Sequence, residues 1–402
     1  MAVPPSAPAL GRRMHRGATR ESPTRPLRLL FTAGGSGGHI YPALAIAREA
    51  IAALGACVVA FVGARGGMEE RLVREAGFAL LTLPVAGIVR KRPPEAIRAC
   101  LALGGAIASA VLLVRRLRPD VVVGTGGYAA GPVGVAAVLC GVPLVLQEQN
   151  VVPGVTNRLL ARFAATVAVP FGEAARHFPR GTRLLLAGNP VRREVLGADP
   201  GEARRRLGLP VAGRVVLMVA GSKGSTVFVR WFQEMLPHWY EGTLLFVCGA
   251  EYLEVARAAA DRAAAHRKSP YRGVVKVLPY LPHMGDGLAA ADLVVCRAGA
   301  MTLAELAAVG RAAILIPSPH VTHHHQDGNA AAFARAGAAR ILAEDGLDGA
   351  TLGGAVVALL GDAEARQRMA QAARSLDRPD SLARIVAAVA AAARAPGGGM
   401  ER

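Results

Sequence analysis

Short β-branched and aliphatic runs recur along this 402-residue chain, separated by helix-length segments. In the first half the runs are 28–32, 57–62, 79–83, 120–123, 143–147, 166–169 and 184–186; in the second they are 214–219, 243–247, 274–278, 293–295, 312–316 and 340–342. They are apolar throughout rather than alternating, the mark of strands covered on both faces of a parallel sheet. Strand and helix in alternation predict an α/β chain of two Rossmann-like, doubly wound parallel-sheet domains facing across a cleft. The length is sufficient for two full cores. The seam falls in AGNPVRREV, Ala187 to Val195, where Asn-Pro breaks the pattern. The expected divisions are a disordered basic tail at 1–26, domains at 27–190 and 191–376, and a terminal helix within 377–402 that docks back on the first domain.

Two glycine turns stand at equivalent places in the two halves. LRLLFTAGGSGGHIYPALAIA runs from Leu27 to Ala47, and RVVLMVAGSKGSTVFVRWF from Arg214 to Phe232. A strand that turns on glycine into a helix directs bare N–H groups and the positive end of a helix dipole at one place, which suits a phosphate or diphosphate. Pro42 suits the first turn of the helix after GGSGGH, and His39 stands at its lip. Neither turn is a dehydrogenase or ATPase fingerprint. Starting GxGxxG at Gly35 puts Ile40 where the third glycine belongs, and Gly-Lys-Ser/Thr is missing from both turns. GTGGYAAGP (Gly124 to Pro132) and QEQN (Gln147 to Asn150) end two further strands, and such strand ends line the ligand crevice of open α/β sheets.

CRAGAMTLAELAAVG, Cys296 to Gly310, carries Glu305 on a helix that follows a glycine turn. That glutamate either complements the helix dipole or grips both hydroxyls of a ribose. PSPHVTHHHQDGNA, Pro317 to Ala330, holds four histidines, but three in succession on a loop point different ways. A polar binding loop with Gln326 and Asn329 as amide contacts is the better reading than a metal site.

Net charge is +18, while aromatic residues are only 4%. With few rings to stack on bases and no helix-turn-helix, zinc or basic-zipper pattern, an anionic membrane surface is a better partner than nucleic acid. Ala96 to Val114 borders on spanning length, yet it holds Arg98 and Gly104-Gly105 and lies between strands. It reads as a helix packed on the sheet whose outer face, flanked by Arg90, Lys91, Arg92 and Arg98, touches the bilayer. Five isolated cysteines without a CxxC pair fit a reducing, cytoplasmic compartment, and the N-terminal stretch lacks the apolar core of a signal peptide.

Seven motifs in one order, GGSGGHIYPALA, GTGGYAAGP, EQNVVPGVTN, GNPVR, GSKGS, CRAGAMTLAE and HQDGNA, closely resemble the MurG-type transferases of peptidoglycan synthesis, from about Leu27 to about Ala395. The resemblance implies the B-type glycosyltransferase fold. It also implies inverting transfer of N-acetylglucosamine from UDP to the 4-hydroxyl of the muramoyl sugar of lipid I, forming lipid II, by a protein peripheral to the cytoplasmic face of the inner membrane. By motif, Glu305 would hold the ribose, Leu281 would line the uracil pocket, and Ala300, Met301, Thr302, Leu303 and Ala304 would lend amides to the diphosphate. Ser222 and Arg192 would contact the nucleotide sugar, and Gln326 and Asn150 the transferred sugar. Ser36, Gly37 and Gly38 would reach in from the first domain. Acceptor contacts would come from Gly126, Gly127, Tyr128 and Asn157. His39 is the candidate base, Lys223 could add charge beside the diphosphate, and no metal or cofactor is required. Lys223 stands where the family commonly has glutamine, Gln147 where histidine often precedes Glu-Gln-Asn, and the His323–His325 run is unusual. A B-type glycosyltransferase with another acceptor, and a non-catalytic UDP-sugar-binding protein, are the competing readings.

Overall fold

The computed structural model describes residues 25–85, 93–221, 224–239, 241–265, 273–281, 283–321 and 324–395. Several expectations therefore lie outside the described residues: the N-terminal tail, Arg90–Arg92, Ser222, Lys223, His323 and the last residues. Among the described residues thirteen strands form two sheets, all of whose pairs are parallel. The first holds β1 (Leu27–Ala33), β2 (Cys57–Ala64), β3 (Ala79–Leu83), β4 (Val121–Gly126), β5 (Leu144–Gln147), β6 (Thr166–Val169) and β7 (Leu184–Leu186), in the order β3-β2-β1-β4-β5-β6-β7. The second holds β8 (Val215–Val219), β9 (Thr243–Val247), β10 (Val274–Leu278), β11 (Leu293–Cys296), β12 (Ala313–Leu315) and β13 (Ala339–Ile341), in the order β10-β9-β8-β11-β12-β13.

The helices cover both faces of each sheet. In the first half these are α1 (Gly37–Leu54), α2 (Glu69–Glu75), α3 (Pro93–Leu117), α4 (Ala130–Leu139) and α5 (Val155–Leu160). The second half adds α6 (Pro200–Arg206), α7 (Thr226–Met235), α8 (Leu253–Ala265), α9 (Met284–Ala290), α10 (Ala300–Val309), α11 (His325–Arg335), α12 (Gly349–Gly361) and α13 (Ala363–Ser375), and α14 (Ser381–Arg394) ends the described chain. The double covering explains the unbroken apolar strands: Phe31 and Val123 face one layer of the first sheet, Leu30 and Val122 the other, and all four are buried. The second sheet repeats this, with Val216 and Val295 on one face and Leu217 and Val294 on the other. Trp231, fully buried on the first of those faces, donates its indole N–H to the Leu347 carbonyl at 2.7 Å.

The chain passes between the sheets twice, and the two crossings touch. Gly188 follows β7 and lies against Arg378, just before α14. Ile385, Val386 and Val389 of α14 then pack with Ile40, Ala43 and Ala47 of α1 in the first-domain core. Among the described residues no helix is long and apolar enough to cross a membrane.

Candidate active site

Each sheet has its topological switch point at the centre. β1 lies between β2 and β4, and β8 between β9 and β11, so crossovers depart on opposite sides and the loops at these strand ends part into a crevice. GGSGGH and GTGG occupy the switch point of the first sheet, and Ala220, Gly221 and CRAGA that of the second.

The two glycine turns of the first domain interlock. α1 starts at Gly37 with Ser36 as its N-cap, so Pro42 falls in the second turn rather than the first, as expected above. The Ser36 carbonyl accepts the N–H groups of His39 and Ile40 at 3.1 and 3.2 Å, which leaves the N–H groups of Gly37 and Gly38 at the open end of the helix. Gly126 and Gly127 have φ of 103° and 90°. A Cβ on Gly126 would lie 2.8 Å from His39 Cδ2, and one on Gly127 would collide with the Gly34 carbonyl oxygen. Only glycine permits this approach. Thr125 Oγ1 donates to the His39 carbonyl at 2.8 Å, and Tyr128, half exposed, leans its ring over Gly35.

This packing sets the state of His39. Its Nδ1 lies 3.1 Å from the Gly34 carbonyl oxygen and 3.2 Å from Ser36 Oγ. A carbonyl only accepts, so Nδ1 carries the proton in this contact and Nε2 presents its lone pair. Burial holds the imidazole below the ordinary histidine range, against Glu148, the Gly34 carbonyl and Glu69, which favour the cation; His325 acts in the same sense as burial.

The QEQN segment is a buried polar hub. Glu148 Oε1 accepts from Gln149 N at 3.0 Å, Asn150 N at 2.9 Å and Asn150 Nδ2 at 3.1 Å, and its Oε2 from Gly154 N at 3.1 Å and Asn157 Nδ2 at 2.8 Å. Gln149 Nε2 donates to the Thr125 carbonyl at 2.8 Å, and Gln147 Nε2 to Asn189 Oδ1 at 3.0 Å. Asn329 of α11 then joins the halves. Its Oδ1 accepts the Val151 N–H at 3.0 Å, and its Nδ2 donates to Asn150 Oδ1 at 3.0 Å and the Ala298 carbonyl at 3.2 Å.

In the second domain α10 begins at Ala300, and the first helical bond runs from Leu303 N to the Gly299 carbonyl at 3.0 Å. The amides of Ala300, Met301 and Thr302 therefore stand free of helical partners. Glu305, one turn on, is buried and accepts from Arg192 Nη2 at 2.9 Å. Burial pushes its carboxyl above the usual range while Arg192 pulls against it. The Arg192 guanidinium also lies over the Tyr41 ring, 4.8 Å from its centroid, which links α1 to α10. Gln326 Oε1 accepts the Ser318 N–H at 2.9 Å.

Two residues are placed differently from expectation. The Leu281 side chain is buried in the second-domain core against Gly287, so only its backbone is left to meet a base. Asn157 is likewise buried and donates to Glu148, which makes it a brace of the hub rather than a surface contact. Leu303 also packs in the core, and its N–H closes the first helical bond, so the amides free for a diphosphate are those of Ala300, Met301 and Thr302 and not those of Leu303 and Ala304. Tyr41, Glu69, Glu148 and Asn189 join the site from outside the residues expected from sequence. The signal for Glu148 was present, since its motif ends a central strand; the others become visible only from their partners.

Two doubly wound domains facing across a crevice, with glycine turns at both switch points and a buried glutamate one turn into a helix, define the B-type glycosyltransferase class. Residues 29–169 match the glycosyltransferase family 28 N-terminal domain, and residues 215–385 the family 28 C-terminal domain. The chain is 41% identical over 370 residues to the UDP-N-acetylglucosamine–N-acetylmuramyl-(pentapeptide) pyrophosphoryl-undecaprenol N-acetylglucosamine transferase of Symbiobacterium thermophilum, covering 92% of this chain and 97% of that one. To the enzyme of the same name from Moorella thermoacetica it is 41% identical over 367 residues, covering 90% and 97%. The crystal structure of Acinetobacter baumannii MurG is similar at a TM-score of 0.74 and 29% identity, covering 91% of this chain and 100% of that one. The chain belongs to this family of N-acetylglucosamine transferases.

Proposed function

We propose that the chain transfers N-acetylglucosamine from UDP-N-acetylglucosamine to the 4-hydroxyl of the muramoyl sugar of undecaprenyl-diphosphoryl-N-acetylmuramoyl-pentapeptide, converting lipid I to lipid II. The acceptor oxygen bonds to the anomeric carbon as the bond to the diphosphate breaks. UDP leaves with the bonding pair, the hydroxyl proton passes to His39, and the α-linked donor becomes a β-linked product. Support for His39 as the base is its bond to the Gly34 carbonyl, which commits the proton to Nδ1 and leaves Nε2 able to accept. The free amides at the start of α10 meet the charge that develops on the diphosphate, so no metal is required there. Glu305 accepts from the ribose hydroxyls with Arg192 beside it, and the Leu281 backbone meets the uracil. Asn150, Gln326, Ser222 and the N–H groups of Gly37 and Gly38 serve the sugar and phosphates, while Gly126, Gly127 and Tyr128 border the acceptor.

The acceptor is a lipid, and the first domain carries a surface suited to its membrane. Leu101 and Leu112 of α3, Leu139 at the end of α4, Leu159 of α5 and Phe163 just beyond it are exposed, with Arg115, Arg116, Arg158 and Arg162 among them. Exposed apolar side chains with arginines close by in sequence favour an anionic, cytoplasmic membrane face over nucleic acid. Purified protein given UDP-N-acetylglucosamine and a lipid I analogue should release UDP only when the acceptor is present, and equally well in a chelator. Release without acceptor would indicate hydrolysis, and none in either case would leave a binding protein. If His39→Ala kept near wild-type turnover at saturating substrates, the assignment of His39 as base would fail.

A further inference from the structure

Beneath the first glycine turn lies a carboxylate that the proposed chemistry does not use. Glu69 is fully buried, although it stands at the start of α2, where Glu70 beside it already serves the helix terminus from a more open position. Its Oε1 accepts the Ala64 N–H at 2.7 Å, and its Oε2 the Gly35 N–H at 3.4 Å. Three glycines make its chamber. A Cβ on Gly34 would stand 2.6 Å from Glu69 Oε1, one on Gly67 2.5 Å from its Cδ, and one on Gly63 would collide with its Cγ. Among the described residues the carboxylate is held by backbone N–H groups and by no cation. Burying a charge on such terms is costly.

The geometry of one peptide group gives the charge a use. The N–H of Gly35 and the C=O of Gly34 belong to the same peptide unit. That unit donates to Glu69 on one side and accepts from His39 Nδ1 on the other. We infer that Glu69 is a positioning residue for His39, acting through the Gly34–Gly35 peptide: a carboxylate–peptide–imidazole relay that orients the ring and strengthens the carbonyl holding its Nδ1 proton. This inference rests on His39 being the base. An anion on the peptide N–H draws electron density toward the carbonyl oxygen, and linked hydrogen bonds reinforce one another. The effect on His39 matches that of a carboxylate bound directly to an imidazole, which selects the tautomer and stabilises the cation formed on proton uptake. Glu148 just after β5 and His325 on α11 also act electrostatically on His39, and Glu69 adds to the pull of Glu148 toward the cation.

The test is a double-mutant cycle of Glu69→Gln and His39→Ala, read as kcat, KM and the pH dependence of kcat. Glu69→Gln keeps the volume of the side chain and removes its charge. Turnover should fall about ten- to a hundredfold, with KM for both substrates within about twofold of wild type. The acidic limb of the kcat profile should move to lower pH, because losing the anion makes His39 harder to protonate. In the His39→Ala background the same substitution should change kcat by less than about twofold, since the relay has lost its end point. Glu70→Gln on the same helix serves as control and should leave kcat and its profile unchanged. An unmoved acidic limb in Glu69→Gln, or a full loss of turnover on top of His39→Ala, overturns the relay while His39 stands as the base. Near wild-type turnover in His39→Ala overturns both.

Discussion

The hub at Glu148 offers the most stringent test of how the crevice is held. Five N–H groups converge on its two carboxylate oxygens at 2.8–3.1 Å. Glu148→Gln is nearly isosteric, yet it turns one acceptor into an NH2 group. In one orientation that group meets three donors, those of Gln149 and the backbone and side chain of Asn150. In the other it meets two, those of Gly154 and Asn157, and this is the cheaper choice. Two hydrogen bonds to a charged acceptor are then lost and their two donors face a third. At the low end for charged partners this costs about 3 kcal/mol. For a domain of this size the unfolding midpoint should fall by about 6–12 °C. The loss reaches the opposite domain, because Asn150 and Val151 are the partners of Asn329. Turnover should therefore fall together with stability. Calorimetry or circular dichroism gives the midpoint, and UDP release gives the turnover. The exposed interdomain pair of Arg335 and Glu173, at 3.4 Å, supplies the control: Glu173→Gln should change stability by less than about 1 kcal/mol. A Glu148→Gln protein that melts within about a degree of wild type and keeps full turnover would refute the hub as a structural keystone.

Three further outcomes follow from the geometry. Gly127→Ala forces a Cβ onto the Gly34 carbonyl at a φ of 90°, so it should lower kcat by about a hundredfold or more while UDP affinity, seated on the other domain, stays within a few fold; steady-state kinetics and calorimetry separate the two. Burial raises the Glu305 carboxyl, so KM for the nucleotide sugar should begin to rise at a higher pH on acidification than an ordinary glutamate would give. Arg192→Ala should move that rise to still higher pH, since the cation that opposes protonation is gone, and an unmoved KM profile would disconnect Glu305 from nucleotide binding. Replacing both Leu159 and Phe163, which are 68% and 62% exposed, with glutamate should weaken binding to anionic vesicles by about tenfold or more in a sedimentation assay, without changing the unfolding midpoint.

Much of the architecture was legible in the chain because strand and helix patterning is local. The apolar run at Val121–Val123, followed by glycines, reads as a strand buried on both faces, and that strand runs on through Gly126 before the chain turns at Gly127. The same holds at Val215–Val219 and the turn that follows. The proposed site residues fall where chemistry would coincide with such turns, as at His39 and at the start of α10. Side-chain direction was not legible. Leu281 lies next to the expected base pocket in sequence, yet its side chain belongs to the core because Gly287 leaves room for it there. Asn157 reads as an acceptor contact, yet it is buried and its amide donates to Glu148.

By itself the sequence determined two doubly wound sheets, the strand ends that line the crevice and the family to which the chain belongs, since these depend on residue types at short spacing. Only the tertiary structure decided which partners those residues take: Glu69 under the Gly34–Gly35 peptide, Arg192 between Tyr41 and Glu305, Asn329 across the seam. Each of these contacts joins positions far apart in the chain. The energy of burying a charge or an amide depends on every group that surrounds it, and that surrounding exists only once both sheets have folded and met.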